Sequence, residues 1–285
     1  MVESLTLRDP AGQLLDWQGR LVRLIYPHGQ AAFDSVQRSA VLLDAIRRGR
    51  VTAYQNLSPS QSEALRAHLP APLQSAAEGA VFVEHPRVWF PSYPYEWPAE
   101  MVHAAAKLTL DLAESLLDEG LGLKDATPYN VLFNGSEPAF VDLLSFEKRN
   151  PNESSWQAFG QFLRCFVYPL LASRHLGLDC ASFFLTQRDG LEAQALYPRL
   201  KLHQKFRSPF FSAVTLPTWL GKSSRRSLDD TSLYSPSLQR NPELAQYILR
   251  GKFRYLRRLL AKAAPRPTES HWSGYMDGGY SYAAA

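Results

Sequence analysis

PSYPYEWP, residues 91–98, places three prolines within eight residues and divides the chain into two unlike parts. Proline fixes φ and removes a backbone donor, so this stretch is a stiff connector rather than part of a sheet or helix. Before it, LTL, QLLDW and RLVRLIY are short β-type runs, broken by the turn signals Asp9-Pro10-Ala11-Gly12 and Gln18-Gly19. FDSVQRSAVLLDAIRRG reads as one helix, with Asp34 or Ser35 as cap, Val36, Val41, Leu42 and Ile46 at helical spacing, and Gly49 as its end. VTAYQNLS reads as a strand, residues 58–69 as a short capped helix, and residues 80–90 as a strand or hairpin. After the connector, residues 98–119 form a long helix with Met101, Ala105, Leu108, Leu112 and Leu116 on one face. SWQAFGQFLRCFVYPLLASRHLG reads as a buried helix interrupted or ended near Pro169, and the rest to about residue 262 as mostly helical, with a loop around residues 222–242. The expected class is α+β: a β-rich unit over residues 1–90, a connector over 91–97, a helical unit over 98–262, and a tail or linker over 263–285.

With 285 residues and 45% hydrophobic content, the chain can bury a core of that size. The net charge of +4 suits an anionic ligand such as a nucleotide and does not call for nucleic acid. The apolar windows are short and interrupted, so no membrane span is expected. MVESLTLRDP has the character of neither a signal nor a transit peptide. Cys165 and Cys180 are too few for a disulfide framework or a zinc site, and a reducing cytoplasm is the simplest setting. The histidines share no ligand spacing, and packing or surface roles are favoured for them. Residues 249–266 carry Arg250, Lys252, Arg254, Arg257, Arg258, Lys262 and Arg266 with no acid. The favoured reading is the solvated side of a terminal helix whose Tyr255, Leu256, Leu259 and Leu260 pack inward; nucleic acid ranks low.

The informative stretch is LKDATPYNVLFNGSEPAFVDLLSF, residues 123–146. Val131–Phe133 and Ala139–Val141 flank Asn134-Gly135, a strong hairpin signal. Antiparallel pairing brings Asn130 and Asp142 side by side, and the loop through Pro128 can fold Asp125 toward the same point. One amide oxygen and two carboxylates form a hard-oxygen set of the kind that suits magnesium, which keeps several waters and takes further oxygens from phosphates.

D-A-T-P-Y-N resembles the D-x-x-x-x-N catalytic loop of the protein kinase-like superfamily, which includes aminoglycoside and other small-molecule phosphotransferases, and FVDLLSF resembles its metal-binding strand. The resemblance implies a two-lobed fold with a small β-rich N-lobe, a hinge at PSYPYEWP and a mostly helical C-lobe. It implies ATP and Mg2+, with Asp125 as the catalytic acid–base residue and Asn130 and Asp142 on the metal. The acceptor it implies is a small molecule, glycan or protein that the sequence does not specify. Departures accompany it. Leu123-Lys124 precede the Asp where protein kinases have His-Arg, Leu143-Leu144 follow Asp142, no glycine-rich phosphate loop is visible near residues 7–20, and no lysine occurs before Lys107. Arg23 is the nearest substitute for a phosphate-binding lysine, with Asp44 or Gln37 as possible partners, and Tyr93, Tyr95 and Trp97 could line an adenine pocket or simply pack.

LKDATPYNVLF, PAFVDLLSFE and WQAFGQFLRCFVYPLL are also similar to the N-terminal region of certain bacterial class I SAM-dependent methyltransferases, and HWSGYMDGGYSYAAA to the join before their second domain. That resemblance implies a methyltransferase partner and a second reading, a pseudokinase-like binding or scaffolding module.

Overall fold

The computed structural model describes residues 2–5, 10–223 and 237–266. Five antiparallel strands make the main sheet: β1 (Val2–Ser4), β2 (Gly12–Trp17), β3 (Arg20–Ile25), β4 (Gln55–Asn56) and β5 (Val81–His85), in the order β1-β2-β3-β5-β4. The register sorts its side chains. Leu15 faces Val22, Val22 faces Glu84 and Leu24 faces Phe82, which places one set against Leu65, Leu69 and Ala77 in a small upper core. Arg23 faces Val83 and Leu14, and Leu21 faces His85, so Arg23 and His85 are diagonal neighbours on the opposite face.

Between β3 and β4 lie α1 (Gln30–Arg38) and α2 (Ala40–Arg47), where the sequence reads as a single helix. The break is at Ser39, whose backbone is extended and whose hydroxyl accepts from Leu42 N at 3.0 Å. Glu119, eighty residues away, takes the Ser39 hydroxyl and the Val41 amide (3.0 Å), an acid at a helix N-terminus. Neither Asp34 nor Ser35 caps α1: Asp34 pairs with Arg38, and Ser35 donates to Ala31 O. Of VTAYQNLS only Gln55–Asn56 joins the sheet. Val51 instead forms a parallel bridge with Phe140, and Thr52 N donates to Phe140 O at 2.8 Å. The expected helix at 58–69 is α3 (Pro59–His68), with a Ser58–Gln61 capping box, followed by α4 (Ala71–Ala76). The run at 80–90 keeps strand geometry only over β5; Trp89 and Phe90 are almost fully exposed.

Past the connector comes α5 (Ala99–Ser115), then β6 (Leu121–Leu123), the hairpin of β7 (Val131–Asn134) and β8 (Glu137–Phe140), and β9 (Phe146–Lys148), which pairs with β6. The buried helix near Pro169 is interrupted. α6 (Phe159–Phe162) widens into a π-turn over Leu163–Val167 before α7 (Tyr168–Leu176), with Pro169 in the first turn of α7, where no amide donor is needed. Short helices α8 (Cys180–Thr186), α9 (Ala193–Leu196), α10 (Leu202–Lys205) and α11 (Leu216–Ser223) lead to α12 (Pro242–Ala263). The class is mixed α and β. One hydrophobic core runs from Ile25, Phe33 and Val83 through α5 and the hairpin to Phe253 and Leu256 of α12. The loop expected around 222–242 and the tail lie largely outside the described residues.

The basic run lies on the solvated side of α12, as its pattern leads one to expect: Leu256, Leu259 and Leu260 are buried and Tyr255 is partly so, while Arg254, Arg257 and Arg258 are exposed. Arg250 pairs with Asp118 at 2.5 Å, and Arg257 pairs with Asp111 at 2.8 Å and with Glu114. The three acids recur at i, i+3 and i+7 along α5 and the turn that follows, so they form a stripe facing α12. Asp111 also takes Arg50 at 3.0 Å. Two of the run's arginines thus pair at the surface with acids of α5 and the turn after it.

Gly190 tests a tight passage. Its φ is +87°, and an added Cβ would lie 2.4 Å from Arg164 O. Gly135 in the hairpin turn has φ +61° with nothing within 4 Å. Gly190→Ala is expected to lower the unfolding free energy by about 2 kcal/mol, and Gly135→Ala by about 1 kcal/mol. Urea titration of both variants checks this, and equal losses would show that the backbone at 164 yields freely.

Candidate functional site

The site is built around one buried serine. The hairpin sets Asn130 against the return strand, with Val141 N donating to Asn130 O at 2.8 Å. Asp142 ends that strand and caps the 3-10 turn Leu143–Ser145 by accepting from Leu144 N at 3.2 Å. Ser145 then turns back. Its hydroxyl donates to Asp142 Oδ2 at 2.5 Å and accepts from Asn130 Nδ2 at 3.2 Å, and its carbonyl accepts from Lys124 N at 2.9 Å. On the other side of Asp125, Ala126 N donates to Gln161 Oε1 of α6 at 2.7 Å. Asp125 is therefore held between two anchored amides. Ser145 links the loops that carry Asp125, Asn130 and Asp142.

Arg23 closes the site from above. It projects from the sheet face next to His85, is 8% exposed at the side chain, and donates to Asp142 Oδ1 at 3.2 Å. Its partner is neither of the two residues expected. Asp44 sits on the outer face of α2, where Arg47 (3.2 Å) and Arg48 (2.7 Å) at i+3 and i+4 reach it first. Gln37 is engaged by Tyr54.

His85 carries no spacing signal in the sequence, and it packs beside Arg23, the role favoured for the histidines. It is 6% exposed, and its Nδ1 lies 2.9 Å from Ala53 O. Nδ1 therefore carries the proton, and Nε2 is a buried lone pair with no partner. Burial, above all, lowers its pKa from 6.5 to about 4; Arg23 adds to the shift and Asp142 opposes it. Glu147, near Asp125 and Lys124, is raised, chiefly by burial. Cys165 and Cys180 are buried, and burial pushes both thiols up to about 12, so neither is a nucleophile at neutral pH.

The tyrosines of the connector lie on a neighbouring cavity that reaches the Asp125–Asn130 loop at Tyr129. Trp97 is fully buried, edge-on to Phe133 at 5.0 Å, with its Nε1 donating to Ser92. It packs. Tyr93 and Tyr95 stack at 5.7 Å and are half-exposed on a cavity of about 580 Å3 that also takes in Tyr129 and Arg188.

Among the described residues no three His, Cys, Asp or Glu side chains group to hold a metal ion. A cation here would have Asp142 and the Asn130 amide oxygen, and would take the rest from water and phosphate. Asn130 uses its Nδ2 on Ser145, which leaves Oδ1 at the other corner of the amide. The Asp142 carboxylate accepts three hydrogen bonds and retains acceptor capacity. Hard oxygens in so small a number fit Mg2+, which takes its remaining ligands from water and phosphate.

Among the described residues no helix is long and apolar enough to cross a membrane. No protein-family model matches the chain. It is 30% identical over 238 residues, 84% of its own length, to the nodulation protein NoeA of Rhizobium meliloti (strain 1021). The match covers 47% of that protein, so the chain spans about half the length of this curated relative.

Proposed function

We propose that the chain is a kinase-like phosphotransferase that moves the γ-phosphoryl group of ATP, with Mg2+, to an acceptor hydroxyl. The observation that carries this reading is the convergence of the Asp125, Asn130 and Asp142 loops on Ser145, closed by Arg23. In this reading residues 1–90 are the N-lobe, 91–97 the hinge and 98–262 the C-lobe. The order of strands, helices, strands, connector and helices supports that division.

Asp125 would accept the acceptor's hydroxyl proton as its oxygen bonds to the γ-phosphorus. The bond from that phosphorus to the β–γ bridging oxygen breaks, and ADP leaves. Asn130 and Asp142 would hold Mg2+, which when bound neutralises charge on the β- and γ-phosphates. Arg23 offers a guanidinium fork in place of a lysine point charge.

A specific observation favours the second reading, a pseudokinase-like module serving a methyltransferase partner in cis or in trans. A Cβ on Gly12 would lie 2.9 Å from Leu144 Cδ1, so the turn after Asp142 packs directly under β2. Arg23 already engages Asp142 there.

Turnover separates the two. ATP consumption is expected to fall about 100-fold or more in Asp125→Ala, the scale of a lost general base. Consumption that is absent from the native chain, or unchanged in the variant, would reject phosphotransfer and leave the binding module.

A further inference from the structure

The cavity under Tyr93 and Tyr95 has one wall made by the loop of the proposed active site. Tyr129 lines it, immediately before Asn130 and four residues after Asp125. The facing wall is the end of α8, with Phe184, Thr186 and Arg188. Arg188 lies over the Tyr129 ring, with its Cζ 5.2 Å from the centroid, and makes no ion pair among the described residues. The hydroxyls of Tyr93, Tyr95, Tyr129 and Thr186 likewise have no hydrogen-bond partner there.

We infer that this cavity is the acceptor site and that it takes an acidic sugar: a hydroxyl-bearing ring with a carboxylate or phosphate substituent. The inference rests on the phosphotransfer reading above. Three features select the class. The face of a tyrosine ring carries negative charge and attracts the C–H-lined face of a saccharide ring. Four unpaired hydroxyls match a ligand with many hydroxyls of its own, whereas a purely apolar ligand would leave them unmatched. Arg188 supplies the only formal charge in the lining. Lying over Tyr129, its guanidinium has N–H edges to offer an anion, the geometry that suits carboxylate or phosphate.

The same lining argues against a cationic acceptor such as an amino sugar. No carboxylate lines the cavity. Glu96, next to Tyr95, is turned onto the Tyr93 amide at 2.7 Å, and Asp189 is not among the lining residues.

Calorimetric titration with glucuronate, glucose and glucosamine tests the inference. Glucuronate is expected to bind saturably, about tenfold more tightly than glucose or glucosamine. Arg188→Ala is expected to abolish that preference, and Arg188→Lys to keep part of it, while ATP affinity stays unchanged in both. Glucose or glucosamine binding as tightly as glucuronate, or a preference that survives Arg188→Ala, would overturn the assignment. So would no binding of any of the three. The parent reading fails separately. If glucuronate binding depends on Arg188 but ATP turnover does not depend on Asp125, the sugar site stands and phosphotransfer falls.

Discussion

Asp142→Ala is expected to lower the unfolding free energy by about 3 kcal/mol and to remove metal-dependent nucleotide binding. The stability loss comes from what the alanine leaves behind. Arg23 is 8% exposed, and losing the carboxylate removes an ion pair at 3.2 Å from a guanidinium buried under the sheet. The same change takes away the acceptor for Ser145 Oγ and for Leu144 N, so the turn that presents Asn130 loosens as well. Removing both charges should cost less than removing one. Arg23→Met combined with Asp142→Ala is expected to recover part of the loss, because both members of the ion pair are removed together. Urea titrations of the two single variants and the double variant measure this cycle. An Asp142→Ala protein within about 0.5 kcal/mol of the native chain would mean that the pair is effectively solvated. Nucleotide titrations with and without Mg2+, on the Asp142→Ala protein at a temperature where it remains folded, test the binding half. Unchanged affinity would reject Asp142 as a metal ligand.

The second large effect is a pH dependence carried by His85. Its pKa is about 4 in the folded protein against an ordinary 6.5, because burial disfavours the imidazolium. Between those values the unfolded chain binds more protons than the folded one. This contribution to stability is therefore full above pH 6.5, declines as pH falls from 6.5 to about 4, and changes no further below that. The full span is on the order of 3 kcal/mol. The groups that face the ring are the Ala53 carbonyl, Arg23 and Asp142. His85→Gln keeps a similar volume and does not titrate. The native protein should lose stability relative to this variant across that pH window, and parallel urea curves over the window would show that the ring is accessible to protons.

Much of the local structure is legible in the chain because it depends on near neighbours. The Asn134-Gly135 turn, the Ser58–Gln61 capping box and the apolar stripe of α5 are contacts within four residues, and each is found where the pattern places it. The placement of Asn130 and Asp142 belongs with these, since a hairpin must bring its two ends together. What is not legible is the choice of distant partners. The sequence offers Asp44 and Gln37 to Arg23 as readily as Asp142, and only the packing of the sheet over the Leu143–Ser145 turn selects among them. Glu119 breaks a periodic helix eighty residues earlier, and acids of α5 and the turn after it pair with two arginines of the solvated run.

The sequence by itself determined most of the elements and that Asn130 and Asp142 stand at the two ends of a hairpin, because hydrogen bonds and side-chain periodicity act over a few residues. Only the tertiary structure decided that Ser145 ties the loops around Asp125, Asn130 and Asp142 together, that Arg23 lies on Asp142 across 119 residues, and that the connector tyrosines share a cavity with Tyr129 and Arg188. Those outcomes depend on which faces come into contact when the core closes, and the apolar pattern that drives closure does not name the polar groups it brings together.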